Sequence, residues 1–272
     1  MERFLGVDLA WRDSDGDRVA NESGVAVLDD RGRIIDAGWT RGLDATVTWI
    51  ERAAADRPAL LFVDAPLVVT NARGQRICET QVGQRYGRWK VSANTTNAAS
   101  PRLAGVALRE RLETRGWAYS DGHHGPPRAG QMVSECYPYT TLVGTTEFGY
   151  DQERPRYKRK PKALPVSAWR PRRAETCDEL ISRLHGLATV VPPLLLDSHP
   201  VARQLTEEPS PDTDLAYKHR EDLIDALICA WTATLWARHG TARCQVLGPA
   251  ASPHGHPPVA TIIAPARPEQ RR

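Results

Sequence analysis

Short apolar runs, each carrying or ending in a single carboxylate, organise the first quarter of the chain. Phe4-Leu5-Gly6-Val7-Asp8-Leu9-Ala10 is apolar at both odd and even positions, which predicts a central strand buried on both faces with Asp8 inside it. Residues 12–22 are polar and rich in Asp and read as a loop. Gly24-Val25-Ala26-Val27-Leu28 predicts a second strand, Asp29-Asp30-Arg31-Gly32 a turn, and Ile34-Ile35-Asp36-Ala37-Gly38 a third strand, giving an antiparallel meander. A helix is expected from Asp44, as N-cap, to about Ala55, with Val47, Ile50 and Ala54 on one face. Ala59-Leu60-Leu61-Phe62-Val63-Asp64 is a fourth strand, stopped by Ala65-Pro66 and expected to run parallel to the first.

The pattern then loosens. Between 70 and 130 Gly, Asn, Pro and Arg are frequent and only 101–115 reads as a helix. Residues 131–137 predict a fifth strand closed by Pro138, and 154–173 a basic loop punctuated by prolines. A helix is expected from Arg173 to about His185, and another over 219–238. In the latter, Leu223, Leu227, Ala230 and Trp231 share a face while Ile224, Ile228 and Leu235 fill the flanks. A helix this apolar nearly all round packs deep against a sheet. The expected organisation is one α/β domain over 1–248 with insertions at about 70–130 and 139–200. A Pro-rich tail over 249–272 follows, with a last short strand at Val259-Ala260-Thr261-Ile262-Ile263.

Composition narrows this picture little. The 272 residues are 41% hydrophobic, enough for a sizeable core, and no run of 18 apolar residues is present. Five cysteines form no Cys-x-x-Cys pair, and the opening Met1-Glu2-Arg3-Phe4 lacks the apolar run of a signal peptide, so a reduced, cytoplasmic protein is expected. The net charge of +3 neither demands nor excludes a polyanionic partner. Its distribution says more, because Arg154 to Arg173 holds nine basic residues and no acidic one. That run is either a solvated loop or a surface facing a polyanion.

Chemistry is expected at the carboxylates. Asp8 interrupts a buried strand, Asp64 ends another, Glu135 lies in a third, and Asp222 and Asp225 stand three apart on the late helix. If strands one and four are parallel neighbours, Asp8 and Asp64 emerge at the same edge of the sheet, where ligands collect. Each acid alone is more often a structural hydrogen-bond acceptor or a surface residue. Together they would repel and raise one another's pKa unless a cation intervenes, and hard oxygen ligands suit Mg²⁺ or Mn²⁺.

The segments Gly6-Val7-Asp8-Leu9-Ala10, Val63-Asp64-Ala65-Pro66-Leu67, Glu135-Cys136-Tyr137-Pro138 and Glu221-Asp222-Leu223-Ile224-Asp225-Ala226-Leu227 resemble a bacterial family of predicted RNase H-like nucleases, domain-of-unknown-function family 429. Their order also resembles the Holliday-junction-resolvase branch of the RNase H-like superfamily. Arg76-Ile77-Cys78-Glu79 and the Tyr157-Lys158 region look like further family features. The resemblance implies an RNase H-like mixed sheet, an antiparallel three-strand meander plus parallel strands, flanked by helices. It implies hydrolysis of nucleic-acid phosphodiesters with two Mg²⁺ or Mn²⁺ ions. Asp8 would bridge both ions, Asp64 or Glu135 would hold one, and Asp222 or Asp225 the other. Asp225 is preferred, because it precedes Ala226 as in the helix motif. The resolvase pattern usually has Glu at the strand-four position where this chain has Asp64, so either Glu135 compensates or the second metal site is weak.

Lys158 or Lys162 would stabilise charge on the phosphate, unless they are plain solvated lysines. Lys160 and Lys162, with Arg73, Arg76, Arg85, Arg88 and Lys90 and the interleaved Tyr86 and Trp89, are candidates to track a nucleic-acid strand, or serve as loop anchors. His219 is a candidate proton shuttle, or decorates a helix start. His123-His124 and His254-x-His256 read as loop residues. Rival functions are a non-catalytic binding module on the same fold, an enzyme for a non-nucleic phosphate ester, and an actin-like ATPase or kinase. The last would need a duplicated core and a Gly-rich phosphate loop that the sequence does not offer.

Overall fold

The computed structural model describes residues 1–13, 19–101, 103–161, 163–251 and 258–271. The three strands of the meander are β1 (Arg3–Asp8), β2 (Glu22–Leu28) and β3 (Ile34–Arg41); α1 (Leu43–Ala54) and β4 (Ala59–Val63) follow. Next come α2 (Ile77–Tyr86), α3 (Ala104–Glu113), β5 (Ala118–Tyr119), β6 (Gln131–Glu135), α4 (Pro138–Gly144) and α5 (Val166–Gly186). The chain ends with α6 (Pro200–Glu207), α7 (Asp214–His239), β7 (Cys244–Leu247) and β8 (Ile262–Pro265). The protein is thus α/β, with a six-stranded mixed sheet of order β3-β2-β1-β4-β6-β5 flanked by helices. β1, β2 and β3 pair antiparallel, and β4 pairs parallel with both β1 and β6.

Period-two alternation assigns each strand residue to one of two cores. Leu5, Val7 and Leu9, with Leu61 and Val63, pack against Val47, Ile50, Leu108 and Leu112 of α1 and α3. Phe4, Leu60 and Phe62 face the other way, toward α7. Asp8 therefore shares the α7 face with Phe4 and Gly6, and Asp64, one residue past β4, shares it with Leu60 and Phe62. α7 is buried continuously from Arg220 to Trp236, as its all-round apolar pattern implies.

Two glycines set how close α7 comes. A Cβ on Gly6 would lie 2.0 Å from the Ala226 carbonyl oxygen, and one on Gly24 would lie 1.9 Å from that of Asp222. Both clashes are with backbone, so relief requires lifting the helix off the sheet. Gly6→Ala is expected to destabilise the protein by about 3 kcal/mol, the upper part of the overpacking range. Urea denaturation checks this, and an unchanged midpoint would contradict so close an approach.

Several elements differ from expectation for identifiable reasons. α1 begins at Leu43 after Gly42, not at an Asp44 cap; Asp13 Oδ1 accepts the Leu43 N–H at 3.0 Å, so this carboxylate comes from the distant loop between β1 and β2. Pro138 opens α4 instead of merely ending a strand, since proline fits the first helical turn. The stretch expected as loop up to Arg173 is helical from Val166; the missing N–H of Pro171 leaves the carbonyl of Ser167, an exposed residue, to water. The last strand is displaced to Ile262–Pro265 and pairs with β7, so the tail is packed into the core. No helix among the described residues is long and apolar enough to cross a membrane.

Candidate metal centre

The register of the parallel strands brings the acids together. Val7 is opposite Val63 and the Asp64 N–H donates to the Val7 carbonyl at 2.9 Å, so Asp8 and Asp64 leave the sheet side by side at its carboxyl edge. Because Gly24 lies opposite Asp8 and admits α7, Asp222 and Asp225 descend onto the same point. Asp8, Asp64 and Asp225 each offer a carboxylate oxygen within 4.8 Å of the others. Asp222 lies beside them, close enough that the charge of Asp8 raises its pKa. The group opens into a cleft of about 450 Å³ also lined by Trp11, Asn94, Tyr137 and Tyr139.

Two ammonium groups meet these four aspartates. Lys158 pairs with Asp225, whose other oxygen accepts the Tyr157 hydroxyl at 2.5 Å. Lys218 pairs with Asp222 and lies 3.2 Å from Glu221 and 3.9 Å from Asp8 Oδ2. With Glu221, five carboxylates against two ammonium groups leave a formal deficit of three positive charges. Asp8 is only 8% exposed, and its buried Oδ2 accepts no hydrogen bond among the described residues. An unsatisfied buried carboxylate oxygen is costly without a proton or a cation.

The electrostatics register the same deficit. Burial pushes Asp8 up to about 6, with Lys158 opposing and Asp225 adding repulsion. Burial and the charge of Asp8 push Asp222 up to about 9. Burial also raises Asp64 well above its ordinary value, against the attraction of Lys158. Burial pulls Lys158 down, but Asp225, Asp8 and Asp64 outweigh it and hold it well above its ordinary value. At neutral pH protons therefore reside among the carboxylates, in positions a dication can take. The donor set and the orphaned oxygen fit Mg²⁺ or Mn²⁺.

The expected site residues divide sharply. Asp8, Asp64, Asp222, Asp225 and Lys158 come together. Glu135 does not join them, because it sits opposite Val63 in the register and so points to the other face of the sheet. There it binds Arg76 through two hydrogen bonds of 2.6 and 2.8 Å and accepts the Leu67 N–H at 3.0 Å. Arg76 is correspondingly buried at 4% exposure and also binds Glu79 at 2.9 Å, so it is no contact for a nucleic-acid strand. Tyr86 and Trp89 are fully buried and offer no stacking platform. Arg73 and Arg85 are exposed, but Arg88 is engaged by Glu269 and Lys90 by Glu153. Lys160 is exposed and lies 3.2 Å from Asp214. Lys162, His254 and His256 lie outside the described residues.

His219 is not in the cluster: its ring stacks on Trp39 at 3.4 Å and its Nδ1 lies 2.8 Å from Glu22. His123 Nε2 lies 2.9 Å from the Pro249 carbonyl, a loop contact as expected. Sequence reasoning missed Lys218, and it picked out Glu221, Tyr157, Arg76 and Glu79 as family features without giving Glu221 and Tyr157 a role or finding the clamp between Arg76 and Glu79. Lys218 was detectable, standing four residues before Asp222 on one helix face. Glu79, at the third position of α2, accepts the Arg76 N–H at 3.0 Å, the half of a capping box that a Glu three residues into a helix signals.

No curated protein and no solved structure matches the chain. A family model does, over residues 6–250, or 245 of the 272 residues, a span that includes all four clustered aspartates. The chain belongs to the family described as Protein of unknown function (DUF429).

Proposed function

We propose that the aspartate cluster holds Mg²⁺ or Mn²⁺ and that the protein is a metal-dependent nuclease with an RNase H-like core, hydrolysing phosphodiester bonds of nucleic acid. The observation that carries this reading is the convergence of Asp8, Asp64 and Asp225 within 4.8 Å at the carboxyl edge of the sheet. The meander followed by parallel strands, with two aspartates three apart on the last long helix, supports it. A bound metal supplies an activated water and neutralises charge on the leaving oxygen. Asp8 and Asp64, on rigid strand ends, are the primary ligands, and Asp225 approaches from α7. The charge deficit accommodates one dication with Lys158 and Lys218 in place; a second ion requires a lysine to turn outward. Lys158, at the mouth of the cleft beside Asp225, then faces the phosphate and offers it a positive charge. Tyr157 fixes the orientation of the Asp225 carboxylate.

The two ammonium groups also favour a second reading, a non-catalytic binding module in which lysines replace the metal as counter-ions. Calorimetric titration of Mn²⁺ into the wild type and Asp8→Asn separates the two. The nuclease reading expects binding that weakens by about 100-fold or more in the variant, as loss of a ligand exceeds the 10–100-fold effect of outer contacts. It also expects Mn²⁺-dependent cleavage in a screen of DNA and RNA substrates. Absence of Mn²⁺ binding even with an oligonucleotide present would leave the binding module.

A further inference from the structure

The turn that delivers Tyr157 and Lys158 to the carboxylates has a second side. Its N–H···O bond from Arg159 to Arg156 measures 3.0 Å, so these two arginines form the base of the turn whose tip enters the metal centre. Both line a separate hollow of about 380 Å³ together with Trp169, Arg172, Arg173 and Thr176. None of the described residues lining it is acidic.

The hollow is assembled by buried groups. Arg173 lies between two rings, 3.7 Å from the Tyr217 centroid and 4.8 Å from that of Trp169. One Nη donates to Asp214 at 3.1 Å, while its Nε is buried with no acceptor. Asp214 is shared with Arg170 and Lys160, so one carboxylate serves three cations. Arg156 is paired with Glu153. Arg159 and Arg172 have no carboxylate partner among the described residues. Two free guanidinium groups and a buried third with an unused donor, around a space with no acid among the described residues, supply the charge and the donors that a phosphate group takes. The Tyr217 hydroxyl joins the two sides, donating to the Tyr157 carbonyl at 2.6 Å and reaching that of Arg173 at 3.2 Å.

We propose that this arginine pocket binds a backbone phosphate of a nucleic-acid strand, away from the phosphate held at the aspartates. The proposal rests on the nuclease reading for its ligand and names the surface along which the strand leaves the cleft. It assigns Arg159, Arg172 and Arg173 as binding residues. Trp169 is a buried support for them, since at 8% exposure it cannot stack a base. Contacts of this kind fix the strand's register without reading its sequence.

Fluorescence anisotropy with labelled single-stranded DNA and RNA oligonucleotides, in EDTA and over a range of NaCl concentrations, tests the pocket without the metal. The variant is Arg159→Gln with Arg172→Gln, both exposed positions that leave the core intact. Arg31→Gln with Arg203→Gln removes the same charge elsewhere. Loss of two phosphate contacts is expected to make the slope of log K against log salt shallower by about 1.4 and to weaken binding about 25-fold near ~0.1 M salt, for every sequence alike. The control pair is expected to bind as the wild type does. Equal weakening by both pairs, or no weakening by either, would overturn the pocket. Binding of inorganic pyrophosphate by calorimetry, with no binding of either oligonucleotide, would overturn its assignment to a strand. A protein that cleaves with Mn²⁺ while ignoring the two arginines keeps the nuclease reading and loses the pocket. Arginine-dependent binding without Mn²⁺ uptake or cleavage does the reverse.

Discussion

In EDTA at pH 8, Asp8→Asn is expected to be more stable than the wild type by about 3 kcal/mol, at 1.36 kcal/mol for each pKa unit by which burial and Asp225 raise Asp8. The substitution preserves shape and removes one of five crowded negative charges. The sign follows from linkage. Asp8 and Asp222 have folded-state pKa values of about 6 and about 9, both above the ordinary 3.8. The folded protein therefore binds more protons than the unfolded chain between about pH 4 and 9, and metal-free stability falls as pH rises through that window. The two groups titrate as a pair, so the fall is broad. The variant loses part of this dependence, and its curve is expected to be flatter.

Mn²⁺ should close the gap between the two. A ligand that binds only the folded state stabilises by about 2.7 kcal/mol at 100 times its Kd, and the wild type gains this while Asp8→Asn does not. The convergence of the two stability curves on adding metal is the signature of a site held ready at the expense of stability. Urea denaturation across pH, with and without Mn²⁺, reads both effects. A variant less stable than the wild type at pH 8 in EDTA would mean that Asp8 is a satisfied structural acceptor.

How far the site was legible in the sequence depended on face and register. Strand β1 and strand β4 were readable because burial on both faces leaves uninterrupted apolar runs, and a carboxylate at Asp8 or Asp64 stands out against them. α7 was readable for the same reason. α2 was not, because only Cys78, Val82 and Tyr86 along one stripe carry its apolar contacts and Gly83 interrupts it. The start of α5 was hidden by Pro171. Glu135 was misplaced for a different reason: its type and its position at a strand end were right, but the pairing of β4 with β6 sets its face, and a shift of one residue would have reversed it. Sequence spacing alone does not fix that register. The same one-residue logic is why Asp64, just beyond the strand, belongs to the cluster while Glu135 does not.

Arg76→Met is expected to destabilise the protein by about 3–5 kcal/mol, the range for removing one partner of a buried ion pair. Arg76 answers two buried carboxylates at once, Glu135 through both Nη atoms and Glu79 through Nε. Its Nη1 also donates to the Val68 carbonyl at 3.1 Å. Glu79 in turn accepts the N–H groups of Arg76 and Thr96, each at 3.0 Å. The guanidinium therefore ties β6, the 64–68 segment and the loop before α2 together, directly behind Asp64. Burial already raises Glu135 against the pull of Arg76. Without the arginine it rises further and takes a proton on folding, so the loss should be larger at pH 8 than at pH 5. Adding Glu135→Gln to Arg76→Met removes the unpaired charge, and the double variant should recover part of the stability. Mn²⁺ affinity should fall as well, because the Leu67 N–H held by Glu135 anchors the segment that begins at Asp64. A loss below about 1 kcal/mol, the range of exposed pairs, would show that the clamp carries little of the fold. Normal Mn²⁺ affinity in a destabilised but folded variant would separate the clamp from the metal centre.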